Sequence, residues 1–207
     1  MTLLLTDPRV RAVPVVEHGD PLVALDARFG PARALVRSGL AARLDAAAGQ
    51  LPAGIRLRVV EGHRSVDAQR AIIARYSAEV CRHRPGISAT DLDRLTSRFV
   101  APVEVAPHVA GAAVDLTLVD ACGEELDLGT AIDATPEESG GRCYLDAPVG
   151  PDARAHRELL AAVLGEAGLV NYPTEWWHWS YGDRYWALLT GAPAALYGPV
   201  DLAEVAA

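Results

Sequence analysis

No stretch of this chain reaches eighteen consecutive apolar residues, so no segment reads as a membrane-spanning helix. The opening "MTLLLTDPRVRAVPV" has no basic residues ahead of its apolar run, and Asp7, Pro8 and Arg9 cut that run short, which argues against a signal peptide. Cysteine is scarce. Cys81, Cys122 and Cys143 are the only three, none in CxxC spacing, so a disulfide framework is not expected and a reducing, cytoplasmic setting is. Positive charge is also short: 19 Lys and Arg against 27 Asp and Glu leave a formal charge of −8, without the basic footprint that nucleic acid or an anionic membrane surface requires. Repeats and low-complexity linkers are missing too. What remains is ordinary, with 50% apolar and 22% charged residues over 207 positions. That composition suits a single compact domain spanning 1–207, one able to bury about 70% of its unfolded surface.

Several segments declare their structure. In "SGLAARLDAAAGQ", Leu40, Leu44 and Ala48 recur at i, i+4 and i+8, which predicts a short amphipathic helix ending near Gly49. "IRLRVV" alternates, with Ile55, Leu57 and Val59 on one side and Arg56 and Arg58 on the other, the pattern of a half-buried strand. "SVDAQRAIIARYSAEV" follows as a helix, with Ser65 as its cap, Asp67 at the positive end of the dipole, and Ile72, Ile73 and Tyr76 facing inward. Residues 82–107 read as irregular around Pro85, Pro102 and Pro107. "AVDLTLVD" at 113–120 alternates again, placing Asp115 and Thr117 opposite Val114, Leu116 and Leu118. Residues 121–150 read as loop, and "GPDARAHRELLAAVLGEAGL" as a helix from Pro151 to a stop at Gly168. Strands and helices mix without regular βαβ spacing, so the expected class is α+β.

Chemistry concentrates in two places where polar residues interrupt apolar surroundings. "PHVAGAAVDL" holds His108 and Asp115 on either side of Gly111-Ala112-Ala113; seven apart on a straight strand they face opposite ways, and a bend at Gly111 lets them converge. "TEWWHWSY" packs three of the chain's four tryptophans around Glu175 and His178, whose offset of three also needs a turn to share one pocket. Spacing alone leaves this segment open between an aromatic core strand and the wall of a site. Two histidines and an aspartate can hold Zn²⁺ with a position open for water, and a glutamate outside the ligand set can serve as general base. Cys81-Arg-His83 has no second Cys/His pair to complete a tetrahedral site, and His156, on a charged helix stretch, is expected to be solvated.

"EGHRSVDAQ", "HVAGAAVD" and "EWWH" occur in the order and spacing of the zinc D-alanyl-D-alanine peptidases related to the vancomycin-resistance dipeptidases. "DLGTAID" at 127–133 and "GLVNYPTEWWHWSYGDRYWA" are similar to the dipeptidase branch, so the resemblance covers about 51–198. It implies a hedgehog/DD-peptidase-like α+β fold with a small central antiparallel sheet flanked by helices. It implies one Zn²⁺ held by His108, Asp115 and His178, with Glu175 as general base, Arg64 as the oxyanion partner and Asp133 as the acceptor of the substrate ammonium. The implied reaction is hydrolysis of D-Ala-D-Ala or a closely related D,D-dipeptide. Rival readings are a DD-carboxypeptidase on cell-wall peptides, a dipeptidase recruited to another dipeptide, and a zinc-stabilised binding module. The chain departs from the family at Ala106, where the pattern has serine, and in "LDARFGPARALVR", which lacks the dipeptidase branch's aromatic pattern.

Overall fold

A computed structural model describes residues 3–200; the ends of the expected 1–207 span, residues 1–2 and 201–207, lie outside it. In chain order the elements are α1 (Pro8–Ala12), β1 (Leu22–Ala24), β2 (Leu35–Arg37), α2 (Ser38–Ala48), β3 (Arg56–Glu61), α3 (Val66–His83), α4 (Ala89–Thr96), β4 (Ala113–Val119), α5 (Pro136–Ser139), α6 (Pro151–Glu166), β5 (Val170–Asn171), β6 (His178–Ser180) and α7 (Arg184–Thr190). The main sheet is antiparallel throughout, in the order β3-β4-β6-β5, and β1 and β2 form a separate two-stranded ribbon. This is an α+β fold with a small central antiparallel sheet flanked by helices. None of the helices among the described residues is long and apolar enough to cross a membrane.

The helices begin and end where side chains satisfy their loose backbone groups. Ser65 accepts the Ala68 N–H at the start of α3, with Asp67 in its first turn. Gly168, with φ of 85°, follows the end of α6 in the left-handed region that residues with a Cβ avoid. Two segments differ from expectation. Residues 89–96, expected to be irregular between prolines, form α4: Ser88 accepts the Asp91 N–H, and Leu92 and Leu95 pack against Tyr76, Val80 and Val100. Those prolines lie outside the helix and do not oppose it. His156 is half-buried rather than solvated, and its Nδ1 lies 2.7 Å from the Asp127 carbonyl.

β4 is the buried axis of the sheet. Asp115 and Thr117 share one face and Val114, Leu116 and Leu118 the other, and all seven residues are buried. One face joins a core that includes Leu57, Val59, Val114, Leu116, Leu118 and Leu160 and the three tryptophans 176, 177 and 179. The other, bearing Asp115, turns to a cavity beneath α3.

The 121–150 segment is fastened to α6 by one side chain. Arg157 is fully buried and donates to the carbonyls of Leu128 (2.8 Å), Arg142 (2.8 Å), Tyr144 (2.6 Å) and Leu145 (3.3 Å). Its guanidinium also lies over the Trp176 ring, 5.7 Å from the centroid. Burial lowers its pKa to about 10, which still leaves it charged at neutral pH. Arginine suits this position because a planar fork can serve several carbonyls at once, as an ammonium cannot. Replacing it orphans buried acceptors. Arg157→Leu is therefore expected to destabilise the protein by about 3 kcal/mol or more, and Arg157→Lys to recover only part of that, both read from urea unfolding midpoints.

Candidate active site

The candidate site is assembled from three chain segments that β4 holds in register. Asp115 pairs with His178 across β4 and β6. On the other side a bulge between Val59 and Glu61 leaves Val60 unpaired and brings Glu61 opposite Asp115. Without that extra residue, Glu61 would fall one place further and face away from the cavity. The expected bend before β4 is present: Gly111, at φ 65°, closes a turn in which its N–H bonds the His108 carbonyl at 3.0 Å. A side chain at 111 would meet both a strained backbone and the Leu22 side chain.

The offset between Glu175 and His178 is resolved by a turn rather than by a strand. The Glu175 N–H bonds the Tyr172 carbonyl at 2.9 Å, and Asn171 Nδ2 donates to the carbonyls of both Glu175 (2.9 Å) and His178 (3.0 Å). β6 begins only at His178, so "TEWWHWSY" is a turn followed by a strand. Trp176 and Trp177, which follow Glu175, are buried in the core, edge to face at 5.5 Å, and Trp177 also lines the cavity.

Three donor groups converge there. His108 Nε2 lies 3.3 Å from Asp115 Oδ2, His178 Nδ1 lies 3.1 Å from Asp115 Oδ1, and the two ring nitrogens are 3.1 Å apart. All three residues are buried, and among the described residues they are the group of His, Cys, Asp and Glu side chains whose ligand atoms cluster within 4.8 Å. The Gly62 carbonyl, 2.7 Å from His108 Nδ1, can only accept, so a neutral His108 carries its proton there and turns the Nε2 lone pair inward. In return the His108 carbonyl accepts the Arg64 N–H at 3.1 Å, which ties the 62–64 segment to the 108 turn. Gly62 is needed for this approach, since a Cβ there would run into the Leu35 carbonyl oxygen.

These residues fit a metal ion. Two imidazoles and one carboxylate make the nitrogen-rich, singly anionic donor set that suits Zn²⁺ better than Mg²⁺ or Ca²⁺, and three protein ligands leave a position open. His178 turns Nδ1 into the cluster, 3.1 Å from both His108 Nε2 and Asp115 Oδ1, while its Nε2 is buried with no hydrogen-bond partner. Burial alone would raise the pKa of Asp115, but His108 and His178 outweigh it and hold the carboxylate well below the usual range. Burial likewise pulls both histidines down; the Asp115 charge overcomes it for His108, which titrates high, and not for His178, which titrates low.

Glu175 stands apart from the donor set, with Oε2 3.9 Å from His178 Nδ1. Its pKa is raised well above the glutamate value by burial first, then by the charges of Asp115 and Asp133. Asp133 has φ 62°, unusual for a residue with a side chain, and is pushed up by burial and by Asp115 and Glu61. Arg64 completes the wall: Nε donates to Glu61 Oε1 at 2.8 Å, Nη2 to Glu61 Oε2, and Nη1 to Gln69 Oε1 at 2.8 Å. All six residues expected from the sequence therefore line one cavity of about 310 Å³, large enough for a small ligand. Ala106 lines it too. Glu61, Gln69, Asn171 and Tyr172 line or support the site as well; Glu61 and Gln69 open and close the "EGHRSVDAQ" motif, which implies no specific role for either. Gln69 is also a polar residue on the inward stripe of α3 that Ile72 and Tyr76 continue.

Residues 29–190 match the peptidase M15 family model, D-ala-D-ala dipeptidase. That match spans more than half of the chain, which therefore belongs to the D-Ala-D-Ala dipeptidase family. It is 36% identical over 94 residues to a D-alanyl-D-alanine dipeptidase of Synechocystis sp. (strain ATCC 27184 / PCC 6803 / Kazusa), covering 42% of this chain and 38% of that protein. It is 39% identical over 82 residues to a D-alanyl-D-alanine dipeptidase of Escherichia coli (strain K12), covering 39% of this chain and 41% of that protein. The chain thus spans about two fifths of the length of the curated relatives it matches. Among solved structures it is similar to VanYB in complex with D-Alanine-D-Alanine, at 17% identity and a TM-score of 0.48 over 84% of this chain and 87% of that one.

The raised pKa of Glu175 carries a stability consequence for the metal-free protein. A carboxyl whose folded pKa exceeds its unfolded value contributes stability below the unfolded pKa, and loses it as pH rises through the folded pKa. Above the unfolded pKa the folded carboxyl must either carry a buried charge or hold a proton that the unfolded chain would release, a cost that a neutral isostere avoids. Metal-free Glu175→Gln should melt above metal-free wild type at pH 7.5 by about 2–4 °C for each kcal/mol relieved, and the difference should vanish near pH 4, as read by calorimetry.

Proposed function

We propose that this chain, acting as one catalytic domain, hydrolyses D-Ala-D-Ala or a closely related short D,D-dipeptide with one Zn²⁺ held by His108, Asp115 and His178. The observation that carries this reading is the convergence of those donors beside a buried glutamate outside the ligand set, on the same cavity wall as Arg64. Bound there, zinc supplies Lewis acidity that brings the pKa of a coordinated water to about 7. Glu175 takes the proton from the attacking water and passes it to the leaving amine. Burial and the nearby Asp115 and Asp133 charges make its carboxylate more basic than an exposed glutamate, which supports both halves of that transfer. The N–H groups of Arg64 that Glu61 and Gln69 leave unused receive the carbonyl oxygen as it gains charge. Asp133, on a strained backbone at the rim of the same cavity, accepts the substrate ammonium.

Family membership supports the dipeptide, and Ala106 supports keeping the substrate class broad. With a methyl group where the family pattern has a hydroxyl, the wall offers one polar contact fewer. The three free cysteines support a reducing, cytoplasmic setting.

In zinc-replete protein, Glu175→Ala should abolish hydrolysis of D-Ala-D-Ala while metal analysis still finds one zinc per chain; retained turnover would remove Glu175 from its role. Arg64→Ala should lower kcat by about 10²–10³, the range for one oxyanion donor. Chelation should stop the reaction and added Zn²⁺ restore it. A muramyl pentapeptide assayed in parallel should be the poorer substrate, and a preference for it would favour a carboxypeptidase. Stoichiometric zinc without turnover of any D,D-peptide would favour a binding module.

A further inference from the structure

We infer that Gln69 is a positioning residue: its side-chain amide fixes which N–H groups of Arg64 face the substrate. This rests on the reading of Arg64 as the oxyanion partner and adds a residue to it.

The amide is oriented without ambiguity. Gln69 Nε2 lies 2.7 Å from the Ala101 carbonyl, which can only accept, so Nε2 must be the end that donates there. Oε1 is thereby turned to Arg64 Nη1 at 2.8 Å. Gln69 is 1% exposed, and a buried amide with both ends engaged has one rotamer available to it. Ala101 belongs to the 97–106 segment that packs against α1 and Tyr172, so the reference point is the protein interior and not a surface loop.

The consequence is on Arg64. Its guanidinium has five N–H groups. Glu61 takes Nε–H and one on Nη2, and Gln69 takes one on Nη1. One N–H is left on each terminal nitrogen. Glu61 alone holds only one edge of the guanidinium, through a side chain that is 35% exposed, and leaves it free to tip about the carboxylate. Gln69 supplies the third point, on the opposite edge and from the buried side. Three contacts define a plane, and the two remaining donors then point in a fixed direction. Since an oxyanion donor acts only when placed where charge develops, loss of the third point should weaken the transition state more than the ground state. Gln69 reaches neither the donor cluster nor Glu175, so the effect should pass through Arg64 alone.

The test is a double-mutant cycle on the full-length, zinc-loaded protein with D-Ala-D-Ala. Gln69→Met removes both amide contacts at nearly constant volume. Gln69→Asn keeps an amide too short to bridge Ala101 and Arg64, and serves if the methionine variant does not fold. The expected result is a fall in kcat of roughly tenfold with KM changed less than about twofold and zinc still at one per chain. In an Arg64→Ala background the same substitution should change kcat by less than about twofold. Equal losses in both backgrounds, or a folded variant with wild-type kcat, would overturn the inference. A readout independent of turnover is the ¹⁵N spectrum of the arginine side chains: the two Arg64 Nη signals should be resolved in wild type and averaged in Gln69→Met. Averaged signals in wild type itself would also overturn it, whereas a wild type that hydrolyses no D,D-dipeptide would count against the functional reading and leave the spectrum to decide this one.

Discussion

Everything at the site depends on the register of β4. Asp115 sits between Glu61 on β3 and His178 on β6, so one residue on a central strand supplies a carboxylate to the donor cluster and is flanked by two other members of the cavity wall. A slip by one position would carry Asp115 into a core of leucines and tryptophans and push Leu116 into the cavity. Because both faces of β4 are buried, neither exchange could be relieved by solvent. The apolar pattern of Val114, Leu116 and Leu118 thus specifies the position of the charge as much as it builds the core. The bulge on β3 is the one place where the ladder is broken, and it is broken on the side that turns Glu61 toward Arg64.

Burying this many ionisable groups is expensive, and the structure offsets the cost with fixed dipoles rather than with exposed ion pairs. The Gly62 carbonyl orients His108, Asn171 staples the turn that carries Glu175, and the Ala101 carbonyl orients Gln69. These partners are mostly backbone groups on well-packed segments, which cannot rearrange when the charge nearby changes. What is left uncompensated is Glu175, whose carboxyl is held against burial and two like charges. A group so placed is a poor contributor to stability and a suitable proton carrier, so the destabilisation and the proposed chemistry have one physical origin.

The parts of the fold legible in the sequence are those decided locally. Ser65 with Asp67, and Pro151 with Gly168, mark helix ends whose partners are a few residues away, and the structure places α3 and α6 accordingly. α4 was legible by the same rule, through Ser88 and Asp91, and was obscured by the prolines around it. The burial of both faces of β4 is illegible for another reason. Alternation reports polarity along a strand and not what lies over each face, and α3 comes to line the cavity opposite Asp115 through tertiary packing that no strand pattern encodes. The site divides similarly. Glu175 and His178 stood out as polar residues among tryptophans, but their convergence depends on Asn171 and a turn that periodicity does not reveal. It was the family resemblance that grouped Arg64 and Asp133 with them. Gln69 stayed unassigned because a buried glutamine is informative only once its two partners, five and thirty-two positions away, are known.

The tryptophans show how core and site share material. Trp176 is pinned by its indole N–H to Thr130 Oγ1 at 2.8 Å and lies under Arg157, so the 121–150 segment that presents Asp133 is fastened to the residue next to Glu175. Trp177 faces the core and the cavity at once. A large rigid ring there excludes water from the side of Glu175 that the donor cluster does not cover, which lowers the local dielectric and strengthens each charge acting across the cavity. Asp133, Glu175 and the donor cluster are thereby coupled through packing as well as through their fields. A change that loosens Arg157 should consequently be felt at Asp133 before it is felt at His108, whose supports, Gly62 and the Gly111 turn, belong to the opposite end of β4.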